Sequence, residues 1–185
     1  YALGFEPTGS ADPYALRRNA LAVLRILMAS PSETLTLSEV LHMAFQTYGD
    51  KLEVTWEVLR ERLMSFLRGR LKHSLASAYP TDLTEAVLSA GFDNPRHAEL
   101  RLAALARVKQ TEGWDDLAVA VKRIVRIAPE SPGAWDSTTL TEAAAIALSE
   151  ATDKMEETTR QALQDERYDD ALASLTALKP AIDRF

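Results

Sequence analysis

The apolar residues of this 185-residue chain return at intervals of three and four along almost every stretch, and no segment alternates apolar with polar residues long enough to make a half-buried strand. That periodicity predicts an all-α fold, a helical bundle. Its sharpest instance is Asp115-Asp116-Leu117-Ala118-Val119-Ala120-Val121-Lys122-Arg123-Ile124-Val125-Arg126-Ile127. At about 100° per residue, Leu117, Ala120, Val121, Ile124, Val125 and Ile127 share one arc, and Lys122, Arg123 and Arg126 share the opposite one. This predicts a core-packed helix with a basic outer stripe.

The stripe has two readings. Cations in the last turn of a helix offset the negative end of its dipole, which needs no ligand. Lys122 and Arg126, however, stand at i and i+4, a like-charge spacing that costs a few tenths of a kcal/mol in an isolated helix. A phosphate backbone or an acidic partner surface would relieve that repulsion. The net charge of −6 argues at first against a polyanion, but the charge is unevenly spread. Residues 54–126 hold twelve basic and nine acidic side chains, whereas residues 127–185 hold five and twelve. A polyanion would meet the middle of the chain.

With 46% apolar and 26% charged residues the chain is globular material, long enough for one substantial core or two small ones. No run approaches the roughly 18 apolar residues of a spanning helix, and no charged n-region precedes an apolar stretch at the start, so we expect a soluble cytoplasmic protein without a membrane partner. The absence of cysteine excludes disulfides, thiolate metal sites and thiol nucleophiles within this chain.

Taken in order, Asp12 followed by Pro13 reads as an N-cap with proline at the first helical position, opening a helix to about Ala29 whose buried face is Leu16, Ala20, Val23, Leu24 and Leu27. Pro31 ends it. Thr36 with Glu39 forms a capping-box pattern for a second helix, closed by Gly49-Asp50. The third, roughly residues 54–75, carries Trp56, Leu59, Leu63, Phe66, Leu67 and Leu71 on one stripe. Arg60 and Arg70 project towards that stripe, where Arg60 is expected as a partly buried ion-pair partner. Arg62, Arg68 and Lys72 project away, as a solvated face or as polyanion contacts. A short helix over residues 83–90 stops at Gly91, Asn94-Pro95 opens a long and centrally placed one, and Gly113 to Asp116 break and cap the basic-stripe helix. Pro129 to Gly133 form a break. A long helical stripe follows from Thr139, and a last helix from Tyr168 to Ile182 is bent or interrupted at Pro180. Because the pattern runs on to Phe185 without a stop, we expect the chain to be cut at both ends.

Two kinds of motif point to a known family. Gly9-Ser10-Ala11-Asp12-Pro13-Tyr14-Ala15-Leu16-Arg17-Arg18 resembles a signature of the bacterial glycyl-tRNA synthetase beta subunit, with Ala11 and Tyr14 where that family usually has lysine and phenylalanine. From residue 54 onward the order of Glu61-Arg62-Leu63, Glu85-Ala86-Val87-Leu88, Arg101 with Ala103-Ala104-Leu105, Ala120-Val121-Lys122-Arg123-Ile124, and the ending Ala177-Leu178-Lys179-Pro180-Ala181-Ile182-Asp183-Arg184-Phe185 is similar to the C-terminal part of the same subunit. Arg126 departs from it, standing where asparagine is common, and the connection from Leu67 to Asp82 is several residues longer than usual.

The resemblance implies three segments. Residues 1–29 would end a preceding body domain, residues 30–53, which resemble the family least, would be a helical linker module, and residues 54–185 would form a bundle resembling the anticodon-binding domain of arginyl-tRNA synthetase, truncated at its C-terminus. It implies a piece of a glycine-tRNA ligase that grips the anticodon arm of glycine tRNA and is itself non-catalytic. Glycine activation, with its ATP and magnesium, would belong to the alpha subunit or a fused catalytic domain, and this piece would hold no cofactor. The tRNA contacts expected on that basis are Arg62, Arg68, Lys72, Lys122, Arg123 and Arg126, with Trp56, Tyr79 and Trp114 as stacking candidates against core packing. The residues agree with a non-catalytic part. His42, His73 and His97 fall in separate elements without metal-ligand spacing, as surface histidines would, and Asp115-Asp116 and Asp169-Asp170 sit where helix capping accounts for them. The alternative is a helical interaction scaffold whose residues 139–182 dock to the catalytic subunit without touching RNA.

Overall fold

The computed structural model describes residues 1–7, 12, 14–30, 35–127 and 140–185, with the backbone only of Ala120 and Ile127. The described residues are helical throughout their regular structure and contain no strand, as the periodicity predicts. They divide into two compact units, Tyr1–Ala103 and Ala104–Phe185.

In the first unit, α1 (Leu16–Ala29) and α2 (Leu37–Gln46) pack on α3 (Trp56–Leu75), which also meets α4 (Thr81–Ala90). The core is what the heptad-like spacing selects: Ala20, Leu24 and Leu27 from α1, Leu37 from α2, Leu59, Leu67, Leu71 and Leu75 from α3, and Leu83, Val87 and Leu88 from α4. Each fully buried leucine contributes about 1.5–3 kcal/mol by leaving water. α3 is therefore the spine of this unit. α5 (Pro95–Val108) supplies Ala98 and Leu102 to it before crossing the division.

The start signals work as read at α2 and differently at α1. Thr36 and Glu39 make a complete capping box, the Thr36 hydroxyl accepting from the Glu39 amide at 3.2 Å and the Glu39 carboxylate accepting from the Thr36 amide at 2.9 Å. Hydrogen bonds donated to it by the Thr36 amide first, and then by the Thr36 hydroxyl at 2.9 Å, hold the Glu39 carboxyl below its ordinary range. Asp12 does cap α1, but from further back. Its carboxylate accepts from the amides of Leu16 at 2.7 Å and Arg17 at 3.1 Å, while Ala15 intervenes in the left-handed region at φ 54°. The helix thus begins three residues later than Asp12-Pro13 suggested, and Pro13 lies outside the described residues. Gly91, at φ 136°, ends α4 where a side chain would be strained.

α2 is tied back into the first unit. The Leu37 amide donates to the Asp93 carbonyl at 2.7 Å, and the Asp93 carboxylate accepts from the Ser38 amide at 2.9 Å and the Ser38 hydroxyl at 2.8 Å. His42 packs edge-on against Trp56 with ring centroids 4.8 Å apart, and Phe45 lies 5.6 Å from the same indole. His42 is thus a packed histidine, not the surface residue expected, and its Nδ1 is buried without a hydrogen-bond partner among the described residues.

In the second unit, α7 (Ala143–Gln164) packs on α8 (Tyr168–Thr176) and α9 (Lys179–Arg184), and α6 (Trp114–Ile127) meets α9. Leu178 and Ile182 form a small core with Leu148, Ala151 and Met155 against it. The last helical stretch breaks at Ala177 and Leu178, ahead of Pro180, which then sits in the first turn of α9 where its missing N–H costs nothing. The expected break at residues 129–133 lies outside the described residues.

Candidate functional site

α6 departs from its expectation. Among its described side chains only Leu117 is buried; Val121 and Ile124 are 44% and 43% exposed and Val125 is 71% exposed. The apolar arc that the sequence assigns to a core lines one side of an open groove of about 590 Å³ in the second unit, faced by Leu148, Met155, Leu178 and Ile182. Periodicity reports a face able to be buried; it does not supply what buries it.

On α6, Lys122, Arg123 and Arg126 are all exposed and make no hydrogen bond or ion pair with a described residue. Asp115 and Asp116 stand in the first turn, where they favour the positive end of the dipole. Asp169 and Asp170 occupy the same place in α8 and are used further, Asp169 by Arg107 at 2.5 Å and Asp170 by Arg167 at 2.5 Å. The Arg107 guanidinium holds the Asp169 carboxyl below its ordinary range.

The α3 candidates behave otherwise. Arg62 donates through Nε to the Glu6 carboxylate at 2.9 Å. Arg68 and Lys72, one helical turn apart, both reach Glu85 of α4, Arg68 Nη2 at 2.5 Å from Oε2 and Lys72 Nζ on Oε1. Arg68 also donates to the Ser89 hydroxyl at 3.1 Å. Hydrogen bonds from Lys72 first, then from Arg68, hold the Glu85 carboxyl low. Arg60 is exposed and donates to the Ser38 hydroxyl at 3.0 Å, rather than forming the partly buried ion pair expected of it. Of the six candidate cations, the structure brings Arg68 and Lys72 together on one carboxylate, keeps Arg62 on another, and leaves Lys122, Arg123 and Arg126 exposed on α6, with Arg123 also lining the groove.

Among the stacking candidates, Trp56 is engaged by His42 and Phe45, and Tyr79 and Trp114 are half-buried. No group of histidines and carboxylates able to hold a metal ion occurs among the described residues, and no helix there is long and apolar enough to cross a membrane.

What fold and surface define is an all-helical protein whose side-chain chemistry is that of ion pairs and exposed cations. Residues 1–89 match the family model described as glycyl-tRNA synthetase beta subunit. The chain is 36% identical over 189 residues to the glycine–tRNA ligase beta subunit of Anaeromyxobacter dehalogenans strain 2CP-1, covering 99% of this chain and 27% of that relative. It is 34% identical over 186 residues to the corresponding subunit of Geobacter sulfurreducens, covering 100% of this chain and 27% of the relative. To that of Myxococcus xanthus it is 34% identical over 199 residues, covering 100% and 28%. Family model and relatives agree on one family, that of the glycyl-tRNA synthetase beta subunit. The chain spans about a quarter of the length of the curated relatives it matches.

Proposed function

We propose that this chain is a tRNA-binding part of a glycine–tRNA ligase beta subunit, gripping the anticodon arm of glycine tRNA while glycine is attached by a catalytic subunit, alpha or fused, that carries ATP and magnesium. The observation that carries this reading is the open face of Lys122, Arg123 and Arg126 in a chain similar to that subunit over nearly all its length. Three unneutralised cations within little more than one turn of one helix offer point contacts to neighbouring phosphates, and the guanidinium planes of Arg123 and Arg126 can stack on an unpaired base. Phosphate contacts by these exposed cations release counterions condensed on the nucleic acid, so binding there strengthens at low salt.

The test is a titration with glycine tRNA and a non-cognate tRNA at two salt concentrations. Cognate preference persisting at the higher salt supports reading of the anticodon arm. In the Lys122→Ala, Arg123→Ala double variant the slope of log affinity against log salt is expected to flatten by about one unit per lost contact. An unchanged slope counts against this face.

A second reading is favoured by one observation, the groove. Its lining is apolar apart from Arg123 and Thr152, and it suits an apolar segment of the catalytic subunit that also presents a carboxylate to Arg123. In this reading Val125→Asp abolishes association with the catalytic subunit in sedimentation and leaves the tRNA titration unchanged. Association that survives this substitution removes the groove from the interface.

A further inference from the structure

Glu85 stands where a phosphate would have to stand. Arg68 and Lys72 lie at i and i+4 on α3, and Glu85 and Ser89 lie at i and i+4 on α4, so the two packed helices set a pair of cations opposite a carboxylate and a hydroxyl. Arg68 donates to Glu85 Oε2 at 2.5 Å and to Ser89 Oγ at 3.1 Å, and Lys72 donates to Glu85 Oε1. Each carboxylate oxygen thus takes one cation, as two oxygens of a phosphate would. The three side chains remain about a third exposed, at 34%, 38% and 35% for Arg68, Lys72 and Glu85, so solvent and a ligand can reach the cluster although its charges are engaged.

We infer that Glu85 is an internal counter-anion that withholds Arg68 and Lys72 from polyanions, and so confines phosphate contact to the cations that have no such partner. The inference rests on the reading that this chain binds a nucleic acid. Three physical points carry it. Like charges one turn apart on a helix repel, and Glu85 relieves that repulsion with no ligand present. Its carboxylate is delivered by a helix already packed on α3, so it competes at high effective concentration with any phosphate from solution. A phosphate displacing Glu85 exchanges one ion pair for another and leaves the carboxylate unpaired beside it, so less net charge is available to release the counterions condensed on a polyanion. An acidic chain with a basic middle keeps its specificity in this way, since cations left open everywhere would bind any polyanion.

The test compares the full chain with Glu85→Gln, which keeps the shape and removes the charge, and with Glu85→Asp, which keeps the charge on a side chain one methylene shorter. Heparin and glycine tRNA are the probes, titrated across salt. Glu85→Gln is expected to bind heparin more tightly, with a salt slope steeper by up to about 1.8, or roughly 0.9 for each cation released. Adding Arg68→Ala and Lys72→Ala to Glu85→Gln returns the slope to its starting value, while the same two substitutions in the presence of Glu85 leave it unchanged. Glu85→Asp falls between the two, and far-ultraviolet circular dichroism confirms that each variant is folded. Heparin binding that does not tighten in Glu85→Gln overturns the inference, as does a slope that flattens when Arg68 and Lys72 are removed beside an intact Glu85. If Glu85→Gln tightens heparin and no variant binds tRNA, the inference stands and the tRNA reading falls.

Discussion

Two pairs of cations in this molecule share one spacing and have opposite fates. Arg68 and Lys72 on α3 and Lys122 and Arg126 on α6 each stand four residues apart on one helix face. The first pair closes on Glu85, whereas the second has no partner among the described residues. The difference follows from what lies beside each helix. α3 is the spine of its unit, with α4 packed on it and a carboxylate projecting from the adjoining turn. α6 meets α9 and leaves most of its described side chains in solvent. A basic pair in a sequence is thus only a potential contact, and its neighbours decide whether the charge is available.

The largest effect expected from breaking this comparison is structural. Leu71, fully buried between Arg68 and Lys72 in sequence, anchors the turn that carries the first pair. Leu71→Ala should cost about 2–5 kcal/mol in the denaturant unfolding of the first unit, and a loss under about 1 kcal/mol would mean that α3 is not its spine. Next comes the second pair. Lys122→Ala with Arg126→Ala should flatten the salt slope of tRNA binding by about two units with little change in unfolding midpoint, whereas Arg68→Ala with Lys72→Ala should leave the slope alone and cost at most about 1 kcal/mol, as partly exposed ion pairs do.

A smaller effect should appear with pH. The Glu85 carboxyl lies below its ordinary 4.5 in the folded chain, so the unfolded chain takes up the proton first as pH falls. The stabilisation is present above about pH 4.5 and is lost as pH drops through the folded value; Glu39 and Asp169 act in the same direction. Urea midpoints at pH 7 and pH 4 should therefore converge in Glu85→Gln more than in the parent chain. Smallest of all, Val125→Ala, at a side chain 71% exposed, should move stability by no more than about 0.5 kcal/mol. A larger loss would show that the groove is closed in solution.

How far the sequence could be read depended on the range of the interaction. The capping box of Thr36 and Glu39 and the stripe of α3 are local, written within one or two turns, and both are present. The acidic first turns of α6 and α8 were legible for the same reason. The Asp12 cap was legible as chemistry and misplaced in register, because nothing in the residue types announces a left-handed Ala15. Arg62 finds Glu6 across 56 residues and Arg68 finds Glu85 across 17, and such pairings are set by packing that no period reports. The candidate cations could therefore be named from the sequence, but not sorted into engaged and open. A hint was present at Glu85, whose i+4 neighbour Ser89 repeats the spacing of Arg68 and Lys72.

The thin seating of α6 has a consequence for its motion. A helix held through one buried leucine among its described side chains belongs to the part of a protein that opens before the whole unfolds, so its amides should exchange with solvent well before those of α3. Exchange of that kind would make an anion on Lys122 and Arg126 more than a ligand. By cancelling their repulsion it would favour the helical form of the segment that presents them, and occupancy of the face would be recorded as slowed hydrogen exchange along α6.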